Sequence, residues 1–200
     1  WRLRWRRGTS SLRRKTKETH VGVRRVVTGH KNGKAVFASD TEVEPLVMAL
    51  QPSAEFYRLW GGDTTATFPD DGSAPPQITY FPPVGGFRFG LFTVAPNDAP
   101  GPAADVDVEA GLAEMEAKLP GLMSYLEPEN PGMHTTDTID FEVVLSGEVV
   151  LELDDGVEKV LRVGDTVVQN GTRHRWSNRG SVPAVLAVIL LGAHHEKFPK

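Results

Sequence analysis

The chain contains no cysteine. Disulfides and thiolate metal sites are thereby excluded, so any metal centre must be built from histidine and carboxylate. The lack of thiols suits a reducing compartment, and a cytoplasmic protein is expected. There is also no run of eighteen apolar residues. The longest apolar stretch, Val182 to Gly192, has the length of a strand, so no membrane span is expected. Basic charge is scarce outside one short segment: residues 1–20 hold eight Arg/Lys and one Glu, whereas the remainder holds fourteen basic and twenty-five acidic side chains. An acidic body is poorly matched to a polyanion, and no nucleic-acid partner is expected. The basic head, which opens Trp1-Arg2-Leu3-Arg4-Trp5-Arg6-Arg7, has neither the apolar stretch of a secretory signal nor an apolar periodicity. It is expected to be a dispensable, disordered tail.

What is present is 200 residues, 40% hydrophobic and 24% charged, enough for one domain with a substantial core. Most of the order signals are those of strands. Val21 to Val27 is rich in β-branched residues and leads to Lys31-Asn32-Gly33-Lys34, whose Asn-Gly pair marks a tight hairpin; Ala35 to Ser39 is the returning strand. His30 beside that turn reads as an exposed loop residue. Ala54 to Trp60 is a short ordered piece. Residues 61–83 contain five prolines and three glycines and read as a long loop; Phe81, Phe87, Phe89 and Phe92 around its end favour an ordered flap. Gly86 to Val94 follows as a strand. Gly111 to Leu119 is a helix, with Leu112, Met115 and Leu119 at helical spacing.

Short strands then follow closely: Met133–Leu145, Gly147–Leu153, Lys159–Val163, Asp165–Gln169, Arg173–Asn178 and Ala184–Leu191, with a turn at Asp154-Asp155-Gly156. This spacing argues for an all-β barrel or sandwich. The chain divides into a tail (1–20), an N-terminal β extension with the Pro-rich loop (21–105), a helical connector (106–127) and a barrel core (128–195).

The segment from His134 to Val144 carries the chemistry. Read as one regular strand, it places His134, Thr136, Thr138, Asp140 and Glu142 on one face and Ile139, Phe141, Val143 and Leu145 on the other. The polar row is either a solvated face or the lining of a small barrel. In the second case the apolar row packs outward, against a second sheet or another subunit. His174, Trp176 and Asn178 alternate in the same way on a later strand. Two imidazoles and one carboxylate suit Fe, Mn, Ni or Zn, with coordination positions left open.

These residues fall in a recognisable order. His134, Asp140 and Gly147 match the histidine, acid and glycine of the motif G-x5-H-x-H-x3-4-E-x6-G; Gly171, His174 and Asn178 match the end of G-x5-P-x-G-x2-H-x3-N. Thr136 stands where the first motif has its second histidine, the opening glycine is missing, and the second motif lacks its proline and is one residue shorter, with Gln169 nearest that slot. The pattern resembles the cupin superfamily, in particular its small single-domain members of the cupin 2 conserved barrel type. Some fungal relatives in that group are labelled oxidoreductases of polyketide pathways.

The resemblance implies a cupin double-stranded β-helix (a jelly-roll barrel), here with an N-terminal β-hairpin extension and one short helix. It implies a divalent transition metal held by His134, Asp140 and His174. The expected function is a metal-dependent enzyme of oxygenase, decarboxylase or isomerase type, acting on a small organic acid, phenol or polyketide-like substrate. Glu142 is the candidate general base, and Thr136, Thr138, Gln169, Trp176, Phe87 and Phe89 are candidate substrate contacts. A metal-free binding protein and a structural cupin are the alternatives. A homodimer is expected, with the hairpin as an arm over a sheet edge. Thr136→His is expected to add a metal ligand.

Overall fold

The computed structural model describes residues 22–196; the expected tail at residues 1–20 lies outside them. The Asn-Gly signal is realised directly. Strands β1 (Val23–Lys31) and β2 (Lys34–Val43) pair antiparallel, and Asn32 and Gly33 between them take φ of 54° and 73°. Two successive left-handed residues match the right-handed twist of a two-residue hairpin. His30 lies within β1, not in a loop, although it is exposed. Its N–H donates to the Asp70 carbonyl at 2.7 Å, which pins the hairpin to the Pro-rich loop.

Two further sheets build the barrel. Strands β3 (Leu46–Met48), β4 (Gln51–Gly62), β5 (Phe87–Val94), β6 (Thr138–Ser146), β9 (Thr166–Asn170) and β11 (Ala184–Gly192) form one sheet in the order β3-β4-β5-β11-β6-β9. Strands β7 (Glu148–Glu152), β8 (Glu158–Arg162) and β10 (Arg175–Ser177) form the other, in the order β10-β7-β8. This is the cupin double-stranded β-helix, with the hairpin and one helix added. Strands β3, β4 and β5 join the barrel sheet: β5 pairs with β11 over eight positions, so β3–β5 share one sheet with β6, β9 and β11. The reason is in β11 itself. Its sequence AVLAVILLG is apolar on both faces, and such a strand belongs in the middle of a sheet.

The alternation along β6 is inverted relative to an ordinary half-exposed strand. Thr138, Asp140, Glu142 and Val144 are buried, and Phe141, Val143 and Leu145 are exposed. One end of the interior is closed by Val144, Val149, Ala184 and Leu186, with Phe92 and Trp176 against them. Helix α1 (Val108–Lys118) starts where Asp107 accepts the Ala110 N–H at 3.0 Å, which satisfies one of the free donors at its first turn. It buries Met115, and with Leu119 beyond its end it packs on Met48 of β3.

The β6–β7 turn depends on Gly147. Its φ is 73°, and a Cβ there would lie 2.8 Å from Ala184 Cα and 2.9 Å from the Pro183 carbonyl oxygen. Gly147→Ala combines left-handed strain with a clash against backbone, and a loss of about 3 kcal/mol is expected in denaturant unfolding. A loss below about 1 kcal/mol would show that the turn relaxes freely.

Candidate functional site

Strand β6 begins at Thr138, so His134 does not sit on the regular strand that its sequence suggests. The partners give the reason. Pairing to β9 ends at Ile139↔Asn170 and pairing to β11 ends at Thr138↔Gly192, so neither ladder extends to residues 134–137. His134 instead bridges His174. Each backbone N–H donates to the other's carbonyl at 2.9 Å, and the two rings lie 4.2 Å apart, tilted by 48°.

The Nδ1 of His134 lies 3.0 Å from the Gly132 carbonyl, and that of His174 lies 2.8 Å from the Thr172 carbonyl. A carbonyl can only accept, so the ring proton of each sits on Nδ1 and each Nε2 keeps a free lone pair. Burial lowers the pKa of both. His174 falls to about 4, with neighbouring His134 adding to the effect. Both imidazoles are therefore neutral at pH 7.

Asp140 and Glu142 project into the same interior, 3% and 4% exposed. Asp140 Oδ1 and Glu142 Oε2 are buried with no hydrogen-bond partner. Burial raises Asp140 to about 6, opposed by the Thr138 hydroxyl beside it. Burial raises Glu142 further, to about 8, with the charge of Asp140 contributing. At neutral pH the pair thus holds one proton, chiefly on Glu142.

These groups open onto a cavity of about 320 Å³. Its polar end is His134, His174, Asp140 and Glu142; the rest is largely apolar, with Phe56, Tyr80, Phe81, Phe92 and Trp176 among its walls. That volume and composition are those of a small-molecule site. Tyr80 and Phe81 arrive from the Pro-rich loop, and their rings meet edge-on at 5.0 Å. Buried Arg88 holds the loop in place: it donates to the carbonyls of Gly62 (2.9 Å) and Thr79 (2.8 Å) and pairs with Asp63 at 2.5 Å.

Five of the expected site residues therefore meet at one cavity: His134, Asp140, Glu142, His174 and Trp176. The others do not line it. Thr136 and Thr138 are buried, but they bond each other, hydroxyl to hydroxyl, at 2.8 Å. Gln169 is committed to the turn that follows it, with its Oε1 accepting from the Thr172 hydroxyl at 2.7 Å. Phe87 and Phe89 lie on the outward parity of β5, while Phe92 faces the cavity. Thr136 lies outside the cavity that His134, Asp140 and His174 share, so Thr136→His is now expected not to supply a ligand there. Tyr80 and Phe81 lie within the Pro-rich loop, where no periodicity marks them as site residues.

The donor types fit a divalent transition metal, since two free imidazole Nε2 atoms and an unpartnered carboxylate oxygen are present. Their placement does not. Among the described residues, no three His, Asp or Glu side chains converge closely enough to hold an ion. The expected set of His134, Asp140 and His174 shares a cavity without assembling into a coordination shell.

Residues 122–190 match the family described as "Cupin domain". Among curated proteins, the chain is 53% identical over 47 residues to "Phomopsin biosynthesis cluster protein C'" of Diaporthe leptostromiformis, a match covering 24% of this chain and 25% of that protein. It is 30% identical over 88 residues to "Cupin-domain-containing oxidoreductase fogC" of Aspergillus ruber, covering 42% and 43%. The matches thus span from a quarter to less than half of these relatives. Among solved structures, a cupin 2 conserved barrel domain protein from Salinispora arenicola is 14% identical, with 78% of this chain and 92% of that one covered and a TM-score of 0.39. No described helix is long and apolar enough to cross a membrane. Residues 122–190 thus carry a cupin domain of the small cupin 2 type.

Proposed function

We propose that the cavity is the active site of a cupin enzyme that transfers a proton on a small, largely apolar organic molecule. The observation that carries this is the pair of buried carboxyls, each with one oxygen lacking a partner and both lining a cavity of ligand size. Buried polar atoms without partners are costly, so their retention in an open cavity supports a ligand that supplies the missing contacts. Ionised Asp140 accepts a proton from an acidic C–H or O–H of the substrate. Glu142 donates its own to the substrate oxygen on which charge develops; Asp140 then delivers its proton to a different carbon while the enol hydroxyl returns one to Glu142, which restores both carboxyls and completes an isomerisation. A proton affinity near neutrality suits Glu142 to both directions. The aromatic walls orient the substrate and exclude water. The similarity to cupin-domain-containing oxidoreductases supports an enzyme over a purely structural barrel. The absence of cysteine supports a cytoplasmic setting.

A second reading is favoured by the two anchored imidazoles with free Nε2 atoms. Here His134, His174 and Asp140 would hold Fe, Mn, Ni or Zn after a local shift. The ion, when bound, would supply Lewis acidity or redox chemistry.

One experiment separates the two. Chelator-treated protein in D2O, with a panel of enolisable aryl ketones, should accelerate hydrogen–deuterium exchange beside the carbonyl as followed by NMR. Glu142→Gln should remove about 100-fold or more of that acceleration. Exchange that appears only after Fe, Mn, Ni or Zn is added back would sink the first reading in favour of the second.

A further inference from the structure

Strand β1 carries two adjacent arginines on opposite faces, and the fold treats them differently. Arg24 is exposed and pairs with Asp40 of β2, with its Nε at 2.7 Å and its Nη2 at 2.6 Å from the two carboxylate oxygens. Arg25 shares the less exposed parity of the strand with Val23, Val27 and Gly29. Its Nη1 donates to the Leu59 carbonyl of β4 at 2.9 Å, and its guanidinium lies over the Trp60 ring, 5.6 Å from the centroid. Its Nε is buried without a hydrogen-bond partner, and no carboxylate among the described residues pairs with it. Arg25 lines a cleft of about 640 Å³ between β1, strands β4 and β5, and the Pro-rich loop. One end is shut where β1 meets the loop: a Cβ on Gly29 would lie 2.3 Å from the Asp71 carbonyl oxygen, and the His30 N–H bonds the Asp70 carbonyl. Trp60, Phe68, Phe87 and Phe89 supply aromatic walls. Asp70 is the only other ionisable residue of the lining, and its Oδ1 is engaged by the Gly72 N–H at 2.8 Å. The cleft shares no residue with the cavity of Asp140 and Glu142, which lies on the other face of the sheet.

We propose that this cleft is a second ligand site, which takes a small aromatic carboxylate. The Nε and Nη2 of an arginine form a fork that matches the two oxygens of one carboxylate. Arg173 uses that fork on Glu127 and Arg175 uses it on Glu152, as Arg24 does on Asp40. Arg25 has its Nη1 and one face already engaged, so its orientation is set and the fork edge is what remains. A buried donor without a partner is costly, and a ligand carboxylate supplies both the missing acceptor and the missing counter-charge. The aromatic walls favour a flat ring as the rest of the ligand, since rings gain from offset or edge-on contact beyond the area they bury. A single cation in an apolar cleft suits one negative charge, and a dicarboxylate would leave its second charge against the walls. The inference does not rest on the chemistry proposed for the cavity.

Isothermal titration calorimetry of the full chain with cinnamate tests it, with cinnamamide as the uncharged isostere. The wild type should bind the acid at least about 10-fold more tightly than the amide. Arg25→Lys keeps the charge but not the fork and should weaken cinnamate about 10-fold; Arg25→Gln should bring it down to the level of the amide. Asp140→Asn should leave the affinity unchanged. An acid bound in the other cavity would instead bind more tightly once that carboxylate is neutral, and such a gain overturns the proposal. No binding by the wild type at millimolar cinnamate overturns it as well, as do equal affinities for acid and amide, or an unchanged affinity in folded Arg25→Gln. If the Arg25 variants fail to fold, Phe68→Ala decides. Its side chain is 73% exposed, and its loss should weaken cinnamate about 3-fold; an unchanged affinity overturns the proposal.

Discussion

Metal-free protein should lose stability as pH rises from about 6.5 to 8, and Glu142→Gln should remove most of that loss. The sign follows from the two carboxyls. Burial raises Glu142 from 4.5 to about 8, so the folded state holds its proton more tightly than the unfolded chain does. Its stabilising effect is complete below pH 4.5 and is lost as pH climbs through 8. Asp140, raised from 3.8 to about 6, acts in the same sense over a lower window. His174, lowered from 6.5 to about 4, acts oppositely: between those values folding excludes a proton, so stability rises with pH. The opposing contributions overlap below 6.5, and above it Glu142 acts alone. Across that interval the folded state holds most of one proton that the unfolded chain has already lost, which costs about 2 kcal/mol of stability. Glu142→Gln keeps the shape and removes the titration. Asp140→Asn should shift the window downward, because the charge of Asp140 helps to hold the proton on Glu142. Urea unfolding in half-unit steps of pH, with chelator present, is the measurement. A flat profile between 6.5 and 8 in the wild type would show that Glu142 is not held protonated by the fold.

Arg88→Met should destabilise the protein by about 3–5 kcal/mol, the range found when one partner of a buried ion pair is removed. Arg88 is 5% exposed and its guanidinium donates to three backbone carbonyls, of Gly62, Phe87 and Thr79, as well as to Asp63. Its loss leaves the Asp63 carboxylate without that cation and the carbonyls without their donors. Arg88→Lys should not restore stability, because one ammonium cannot reach all of these acceptors. The damage should be felt at the cavity. Thr79 precedes Tyr80, so loosening the loop lets Tyr80 and Phe81 leave the wall. Near-ultraviolet circular dichroism should therefore lose aromatic signal below the unfolding transition. A loss of less than about 1 kcal/mol in Arg88→Met would mean that other contacts hold the loop.

The division between what could be read and what could not follows the range of the interactions. Asn32-Gly33, the inverted alternation from Thr138 to Leu145, Gly147 in its turn and the helix around Met115 are local facts. Each rests on dihedral preference or on the two-fold or 3.6-fold period of a single element, and each is legible in a few consecutive residues. The meeting of His134, Asp140, Glu142, His174 and Trp176 was also legible, because motif spacing relates residues on two strands of one barrel.

Parity and pairing were decided elsewhere. Phe87, Phe89 and Phe92 all sit on one apolar strand, and only the register with β11 determines that Phe92 faces the cavity and Phe89 faces outward. His134 left its strand because the neighbouring strands stop, which no property of residues 134–138 encodes. Tyr80 and Phe81 reach the site through a loop without periodicity, held by Arg88 and by the bond from the Tyr80 N–H to the Pro120 carbonyl. The sequence by itself determined which chemical groups this protein carries and that a barrel would enclose them. The tertiary structure decided which of them touch, because coordination, proton sharing and packing depend on distances of a few ångströms between residues far apart in the chain.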